Sequence, residues 1–416
     1  MEPTRIFELI DRANQLFSFK EDILATKIED KWEKFNAKHY AEISNYFSYG
    51  LISMGFERGD KIITISNNRP EWNFIDMGMN QVGVIHIPVY PTISSDEFEY
   101  IFNHSEARMI IVSDKFLYKK IKPIADKVVN IKEVYTINNV EGAKNWLDIV
   151  EEGKKSENNE IKEKLQKIKE GIKPDDMCTI IYTSGTTGTS KEVMLTHTNF
   201  IYQVRKFKEI CAVDYRHTAL SFLPLCHVLE RIVNYTFQYL GVGIYYAKGL
   251  ETISDDIKEI KPHVFATVLR LLEKVYDKII TKGKQLDGLK KKLFFWAVDL
   301  GEKFEFEGKS PFYKAQLASA NQLIFNQWRK ALGGNIKFII SGGAALQPRL
   351  ARVFWAAQIP IREGYGLTET APVITLNHQT LPGIKFGTVG PVIGKEQEIK
   401  IADDGEILLK SDKVMK

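Results

Sequence analysis

The sequence predicts an α/β fold: two stacked α/β subdomains with mostly parallel sheets flanked by helices, followed by the start of a small β-barrel subdomain. Short, apolar, β-branched segments alternate with segments in which apolar residues recur at helical spacing, first over 40–128 and again over 197–340. That alternation is typical of parallel strands joined by right-handed helical crossovers. The length of 416 residues also exceeds what one hydrophobic core usually serves, which favours more than one subdomain.

The first α/β series precedes a charged segment. Its predicted strands lie at 61–66, 84–89 and 109–112, and its predicted helices near 40–54, 71–82, 95–104 and 115–128. Ser94, with Glu97 three residues later, is a typical start for the third of these helices. From 141 to 176, Lys, Glu and Asn replace large apolar residues, which predicts an exposed helical excursion; a functional charge patch is the less favoured interpretation.

The second series runs from 177 to 372. Its predicted strands lie at 219–222, 243–246, 264–268 and 336–340, and its predicted helices near 197–211, 228–240, 254–260 and 270–281. Residues 284–331 carry no strand pattern and are predicted to be two long helices whose aromatic residues belong to the core. A β-hairpin with strands at 397–401 and 406–409 is predicted within 373–416, so the expected subdomains are 1–176, 177–372 and 373–416.

Composition and charge favour a cytoplasmic globular protein with small anionic ligands. Hydrophobic residues make up 44% and charged residues 26% of the chain, and the formal net charge is +4, too small over this length to indicate nucleic-acid binding. Cys178, Cys211 and Cys226 show no metal-binding spacing and are predicted to be reduced and mostly buried. We find no secretory signal and no apolar run of membrane-helix length; peripheral contact with a membrane surface stays an open alternative.

A loop rich in Gly, Ser and Thr follows the apolar strand at 179–182. Residues 181–191 read Ile-Tyr-Thr-Ser-Gly-Thr-Thr-Gly-Thr-Ser-Lys. Glycines let backbone N–H groups turn toward an anion, the hydroxyls add donors, and Lys191 adds a mobile positive charge. The loop is not of the Walker type, in which Gly and Lys are adjacent, because two residues separate Gly188 from Lys191. A solvated turn is the alternative, but the direct strand connection and the terminal Lys favour phosphate binding.

Three later segments suit the rest of a nucleotide site. Residues 362–370 read Arg-Glu-Gly-Tyr-Gly-Leu-Thr-Glu-Thr, in which flanking glycines allow Tyr365 to stack on a flat ring and Glu369 offers a carboxylate to Mg²⁺. Residues 340–346 place small side chains after a predicted strand, where a purine face or tight helix–strand packing fits equally well. Residues 221–231 contain His227, and a lone His is more often structural.

Together these segments resemble the AMP-forming acyl-CoA synthetases, members of the adenylating superfamily that also holds firefly luciferase and the adenylation domains of peptide synthetases. Residues 181–197 resemble the phosphate loop, 362–370 the Gly-Tyr-Gly-x-Thr-Glu motif, and 221–231 the Leu-Pro-Leu-x-His-x-x-Glu-Arg stretch of long-chain members. The helical insertion at 284–331 is also similar to that of the long-chain enzymes. The resemblance covers essentially the whole chain. It implies that a long-chain fatty acid, ATP and CoA react, with Mg²⁺, through an acyl-adenylate to acyl-CoA.

The resemblance also implies residue roles. The predicted phosphate contacts are Thr183, Ser184, Gly185, Thr186, Thr187 and Gly188. The predicted adenine pocket is formed by Gly343, Ala344, Glu363, Gly364 and Tyr365. The predicted catalytic residues are Lys191, His227, Thr368 and Glu369, with Mg²⁺ held by Thr183 and Glu369. The aromatic run Tyr235, Phe237, Tyr239, Tyr245 and Tyr246 falls in the region where long-chain enzymes gate the acyl tunnel.

Two positions of the phosphate-loop segment depart from the family pattern. Ser190 stands where the family usually has Pro, and Glu192 where it usually has Gly, so a carboxylate is expected beside the polyphosphate. The resemblance further implies a ribose-binding Asp, a hinge and an adenylation Lys in a mobile C-terminal domain past Lys416, outside this sequence. The alternative function is therefore a catalytically incomplete nucleotide- or acyl-binding protein.

Overall fold

The computed structural model describes residues 2–184 and 190–416. The predicted α/β class is confirmed: two mostly parallel sheets are flanked by helices, and a small antiparallel sheet follows. The strands are β1 (Leu24–Ile28), β2 (Lys31–Phe35), β3 (Lys61–Ile65), β4 (Ile85–Pro88), β5 (Met109–Val112), β6 (Glu133–Thr136), β7 (Lys144–Asn145), β8 (Met177–Ser184), β9 (Ser190–Thr196), β10 (Thr218–Ser221), β11 (Gly243–Tyr246), β12 (Val264–Val268), β13 (Phe338–Gly342), β14 (Ile361–Gly366), β15 (Val373–Leu376), β16 (Glu398–Ile401) and β17 (Ile407–Lys410).

The helices mostly follow the predicted periodicity. They are α1 (Glu8–Phe17), α2 (Ala37–Ser53), α3 (Pro70–Val82), α4 (Ser95–Ser105), α5 (Lys115–Ala125), α6 (Trp146–Lys155), α7 (Asn159–Gly171), α8 (His197–Ile210), α9 (Val228–Leu240), α10 (Ile253–Ile260), α11 (Leu269–Lys284), α12 (Gly288–Glu302), α13 (Pro311–Ala320), α14 (Asn326–Ala331) and α15 (Pro348–Ala356). The predicted capping box at the start of α4 is present, since Ser94 and Glu97 cap each other's backbone N–H groups.

The first sheet has seven strands among the described residues, in the order β7-β6-β5-β3-β4-β8-β9. Its strands pair in parallel except for the antiparallel β8–β9 hairpin, whose connecting loop contains the undescribed residues 185–189. One face packs against α4 and α5 through a core that includes Ile63, Phe98 and Ile180. The other face joins the core shared with the second sheet.

The second sheet has eight strands in the described ranges, in the order β15-β14-β13-β12-β10-β11-β1-β2. The N-terminal hairpin β1–β2 was not predicted from the sequence, and β1 pairs in parallel with β11. Sheet membership therefore differs from the predicted division at 176: residues 24–35 pair with the second sheet, and residues 177–196 with the first. The subdomain boundaries themselves remain a prediction.

Two helical segments differ from expectation. The charged segment 141–176 is helical and mostly exposed, as predicted, but its helix α6 also packs closely on α2, which the sequence did not indicate. A Cβ added at Gly50 or Gly153 would overlap a backbone carbonyl of the other helix, so glycine permits the contact. In 284–331, three helices and a π-helical turn replace the two predicted helices; Phe294 and Trp328 are buried as expected, but Phe312 is 73% exposed.

Candidate nucleotide and acyl site

A cavity of about 280 Å³ lies where strand ends of the two sheets face each other. Thr183 and Ser184 line it from β8 in the first sheet, and Gly342 and Gly364 from β13 and β14 in the second. The carboxyl ends of parallel strands are the usual ligand sites of such sheets. The structure thus brings residues from widely separated motifs to one place. Of the predicted site residues, the cavity is lined by Thr183, Ser184, His227, Gly343, Gly364, Tyr365, Thr368 and Glu369.

One wall of this cavity is an almost bare backbone beside an aromatic ring. Gly364 and Gly366 flank the half-buried Tyr365 at the end of β14, and Gly343 has φ +80° in the turn after β13. A left-handed residue without a side chain allows a planar ligand to approach the main chain. The arrangement suits a purine held against the Tyr365 ring.

A short 3₁₀ turn, Thr368–Thr370, carries the second polar wall. The Leu367 N–H donates to the Thr370 hydroxyl, 3.0 Å away, and the Gln203 amide donates to the Thr370 carbonyl. The Met415 N–H donates to the Glu369 carbonyl at 2.8 Å. These bonds fix the turn from several sides, so Thr368 and Glu369 are presented to the cavity by a rigid backbone.

Glu369 and Thr183 fit a magnesium ion that also binds a ligand. Both line the cavity, and carboxylate and hydroxyl oxygens are hard donors. The described residues contain no group of three or more His, Cys, Asp or Glu side chains placed to hold a metal by themselves. Mg²⁺ usually takes one or two protein carboxylates together with phosphates and waters. This donor set is therefore suitable for a metal that arrives with a nucleotide.

His227 lies at the junction of three cavities. It lines the first cavity, a second of about 430 Å³ beside α4, and a third of about 640 Å³ bounded by Tyr90 and Val268. As the N-cap of α9, its Nδ1 accepts a hydrogen bond from the Leu229 N–H at 3.2 Å. Burial lowers the pKa of the imidazole, so His227 is neutral at pH 7.

The first cavity also has an apolar lining. The apolar side chains that border it are Phe207, Leu229, Ile340, Val373 and Leu376. Leu229 and Ile340 fall within the quoted motifs, but a place in an apolar lining was predicted for none of the five. The third cavity leads into a fourth, of about 460 Å³, with which it shares Tyr90, Val268 and Arg270. The charged residues lining these two cavities are all cations: Lys248, Arg270 and Lys274.

Several predicted residues lie elsewhere. Lys191 is opposite Thr183 in the hairpin, but its side chain is exposed and does not line the first cavity. Ala344 lines the third cavity rather than the first. Four predicted phosphate contacts lie outside the described residues: Gly185, Thr186, Thr187 and Gly188.

Glu363 is placed behind the site rather than in it. Its buried carboxylate accepts a hydrogen bond from the Leu346 N–H at 3.1 Å, and it does not line the first cavity. Burial raises the pKa of the Glu363 carboxyl to about 7, although the Leu346 hydrogen bond opposes that rise. Glu363 therefore stabilises the 343–346 segment through this hydrogen bond.

The predicted aromatic gate is not at these cavities. Three of its hydroxyl groups make hydrogen bonds elsewhere: Tyr235 to Asp76, Tyr246 to Asn73 and Tyr245 to Asp22. None of the five aromatic side chains between 235 and 246 lines any of the four cavities. The reason is geometric: α9 and β11 turn these side chains into the core, while Tyr90 and Phe207 reach the cavities.

Comparison with known proteins identifies the family. The sequence matches the family described as AMP-binding enzyme over residues 18–416. This chain belongs to the AMP-binding enzyme family. The membership predicted from the motifs is therefore confirmed.

Curated relatives of this chain are named as long-chain fatty-acid–CoA ligases or acyl-CoA synthetases. Long-chain-fatty-acid–CoA ligase FadD15 of Mycobacterium bovis is 30% identical over 391 residues, which cover 92% of this chain and 63% of the relative. Long chain acyl-CoA synthetase 7, peroxisomal, of Arabidopsis thaliana is 30% identical over 375 residues, which cover 87% of this chain and 51% of the relative. The chain thus spans about half to two thirds of the length of these relatives.

Solved structures support the fold of this family member. The N-terminal domain of FACL13 from Mycobacterium tuberculosis matches 99% of this chain and 90% of that chain with a TM-score of 0.68, at 17% identity. The structure of a long-chain-fatty-acid-CoA ligase, FadD1, from Archaeoglobus fulgidus matches 100% of this chain and 76% of that chain with a TM-score of 0.72, at 19% identity. In the described residues, we find no helix whose length and hydropathy would let it cross a membrane. All three cysteines are buried and form no disulfide.

A buried carboxyl close to His227 in sequence was missed. The Ser221 hydroxyl donates to Glu230 Oε1 at 2.6 Å, while Oε2 has no partner among the described residues. Burial raises the pKa of the Glu230 carboxyl to about 8. Sequence motifs did quote this residue, but nothing in its pattern showed that the carboxyl is enclosed.

We expect Glu230→Gln to weaken the pH dependence of folding stability. A carboxyl whose folded pKa is raised from 4.5 to about 8 binds protons more tightly when folded, so its contribution to stability is lost as pH rises through that window. Between pH 5 and pH 9, the free energy of unfolding of the wild type should fall by on the order of 3 kcal/mol relative to that of the variant. Urea unfolding at both pH values measures this, with the exposed Glu398→Gln as control. Parallel pH profiles for wild type and Glu230→Gln would contradict the assignment.

Proposed function

We propose that this chain carries the ATP-dependent activation of a long-chain fatty acid to an acyl-adenylate, which CoA then converts to acyl-CoA. The observation that carries the proposal is one cavity lined, together with His227, by two sets of residues: one suited to a nucleotide and one apolar. The first presents Tyr365, Thr368 and Glu369, and the second Phe207 and Leu229. The names of the relatives support the acyl substrate.

In the adenylation step, a carboxylate oxygen attacks the α-phosphorus of ATP. The bond between the α-phosphorus and the oxygen that bridges it to the β-phosphorus breaks, and pyrophosphate leaves. A fatty acid is already ionised at neutral pH, so this step needs no general base. The chain's residues act by positioning and by charge. Thr183, Ser184 and Thr368 donate hydroxyl hydrogen bonds to phosphate oxygens, and Tyr365 holds the base. Glu369 and Thr183 would hold Mg²⁺, which would supply positive charge to the phosphates.

The acyl chain and CoA take different routes to His227. We assign the acyl chain to the apolar wall of Phe207, Leu229 and Val373, because burying methylenes there removes them from water. We assign the pantetheine arm of CoA to the cavity bounded by Tyr90 and Val268, which is continuous with a cation-lined opening. Its three cations suit the phosphates of CoA. A neutral His227 can accept a proton where the thiol arrives.

The test is ATP–pyrophosphate exchange with a panel of carboxylic acids from acetate to oleate. We expect exchange that depends on added acid and is greatest for long alkyl chains. Exchange with short or aromatic acids alone would refute the long-chain assignment. Tight binding of ATP and fatty acid with no exchange for any acid would favour the alternative, a catalytically incomplete nucleotide- or acyl-binding protein.

Glu192 faces away from the first cavity. Successive strand residues point to opposite sides, and the Glu192 carboxylate lies 3.8 Å from His104 Nδ1 on α4, beside the Tyr182 ring. Lys191 and Thr183 occupy the other side. The Glu192 carboxylate therefore does not line the first cavity.

We expect Glu192→Gln to leave ATP affinity within about twofold of wild type at both low and high salt, because a solvated charge on the far face is screened. Titration calorimetry with Mg·ATP at two ionic strengths measures this. A clear gain in affinity confined to low salt would show that the triphosphate does sense this carboxylate.

A further inference from the structure

A buried polar cluster joins the first sheet and α3 to α9, behind the site. We call it the Arg231 cluster; its members are Thr64, Asp76, His86, Thr179, Arg231 and Tyr235. Each is at most 2% exposed. They come from β3, α3, β4 and β8 on one side and from α9 on the other. The motifs quoted Arg231 without a role and did not single out the other buried members for a polar function.

The charges in this cluster are paired. One Arg231 NH2 group donates to Asp76 Oδ1 at 2.7 Å, and Arg231 Nε donates to the Tyr235 hydroxyl at 2.8 Å. The Tyr235 hydroxyl in turn donates to Asp76 Oδ2 at 2.6 Å. Burial alone would raise the pKa of the Asp76 carboxyl, but Arg231 and His86 outweigh it and hold that pKa at about 2. Both ions thus stay charged and bound to each other.

His86 completes the pairing as a neutral side chain. Its Nδ1–H donates to Asp76 at 2.6 Å, and its Nε2 accepts from the Thr64 hydroxyl at 2.6 Å. Burial lowers the pKa of the imidazole to about 4, although Asp76 opposes that shift. The cluster therefore keeps one arrangement across neutral pH, and its geometry is fixed.

One further contact of Arg231 reaches the strand that leads into the site. Arg231 NH1 donates to the Thr179 hydroxyl at 2.7 Å, and that hydroxyl donates to the His86 carbonyl at 2.6 Å. Thr179 lies on β8, which ends at Thr183 and Ser184 on the polar side of the first cavity. Arg231 lies one helical turn after His227 on α9, and its N–H donates to the His227 carbonyl.

We propose that the Arg231–Thr179 contact is a positioning device that sets the phosphate-binding strand against His227, so that carboxylate and α-phosphate meet in reacting geometry. This inference rests on the proposed function. The contact joins β8 of the first sheet to α9. β8 leads to Thr183 and Ser184, and α9 begins directly after His227, so the two ends of the contact lead to different lining residues of the first cavity. Displacing β8 relative to α9 by about 1 Å leaves each substrate its own contacts but can cost about 100-fold in rate.

The test is Thr179→Val, which removes the hydroxyl but leaves the Arg231–Asp76 pair in place. We expect kcat of ATP–pyrophosphate exchange to fall about 10- to 100-fold, while KM for ATP and for fatty acid each stay within about twofold. Thr179→Ser restores the hydroxyl and should recover most of kcat. The control is Thr136→Val, since Thr136 is a fully buried hydroxyl on β6 of the same sheet, outside the cluster. Its kcat should stay near wild type.

A binding measurement separates positioning from general destabilisation. By calorimetry, Thr179→Val should bind AMP and palmitate like wild type, but bind a non-hydrolysable palmitoyl-adenylate analogue, which spans both walls, at least about tenfold more weakly. Equal kcat losses in Thr179→Val and Thr136→Val, or an unchanged affinity for the analogue, would overturn the inference. A wild type that neither exchanges nor binds the analogue would instead refute the proposed function, and the inference with it.

Discussion

Glu369→Gln lowers the rate of ATP–pyrophosphate exchange by at least about 100-fold, because the amide removes the anionic ligand from a magnesium site with few protein donors. The change is nearly isosteric, and the turn that carries Glu369 is fixed by backbone bonds that the substitution leaves intact. Raising the Mg²⁺ concentration should recover part of the activity, since the defect is in metal affinity.

Two further variants test whether the loss of activity comes from the lost negative charge at Glu369. Glu369→Asp keeps the charge and should retain more activity than Glu369→Gln, while Glu398→Gln removes an exposed carboxylate on β16 and should have no effect. Calorimetry with Mg·ATP follows the binding step directly. Equal Mg·ATP affinity for wild type and Glu369→Gln would mean that the metal is held by other groups.

Gly366→Ala abolishes nucleotide binding, because a Cβ at this position would overlap the carbonyl oxygen of Pro372 in the segment that leads into β15. Neither strand can shift without moving the cavity wall that carries Tyr365. Overpacking against rigid backbone costs roughly 3 kcal/mol or more.

Gly364→Ala provides the matched comparison within the same motif. Its Cβ would meet the Leu376 side chain and the Thr375 carbonyl oxygen at 3.2 Å, a contact that a small shift relieves. We expect AMP binding by Gly364→Ala to weaken only severalfold, because the strand geometry is kept. Thermal unfolding and AMP binding of both variants measure the difference. Similar losses in the two would show that the glycines are needed for ligand approach alone and not for the spacing of β14 and β15.

Local patterns gave the fold class and most elements correctly, because strand and helix periodicity survive in the sequence. Strands β5 and β11 have the predicted bounds. The β1–β2 hairpin was missed because its partner β11 lies more than 200 residues away, and no local pattern encodes that pairing. The packing of α6 on α2 was missed for a related reason: Gly50 and Gly153 are unremarkable until the helices are brought together.

The polar half of the site was predictable and the apolar half was not. Gly, Thr and Glu in a fixed order mark phosphate and metal chemistry, and Tyr365, Thr368 and Glu369 do share one cavity. Phe207 and Leu229 resemble any other core residues in the sequence, so only the fold shows that they border the same space. The direction of Glu192 likewise depends on strand pairing that sequence alone does not give.

The most direct test is a crystal structure with the non-hydrolysable palmitoyl-adenylate analogue. The account predicts the adenine against Tyr365 beside Gly343, and the phosphate mimic near Thr183 and Thr368. The alkyl chain should lie along Phe207 and Leu229, leaving the cavity bounded by Tyr90 and Val268 for CoA. An alkyl chain in that latter cavity, or an adenine away from Tyr365, would contradict the assignment of the two walls.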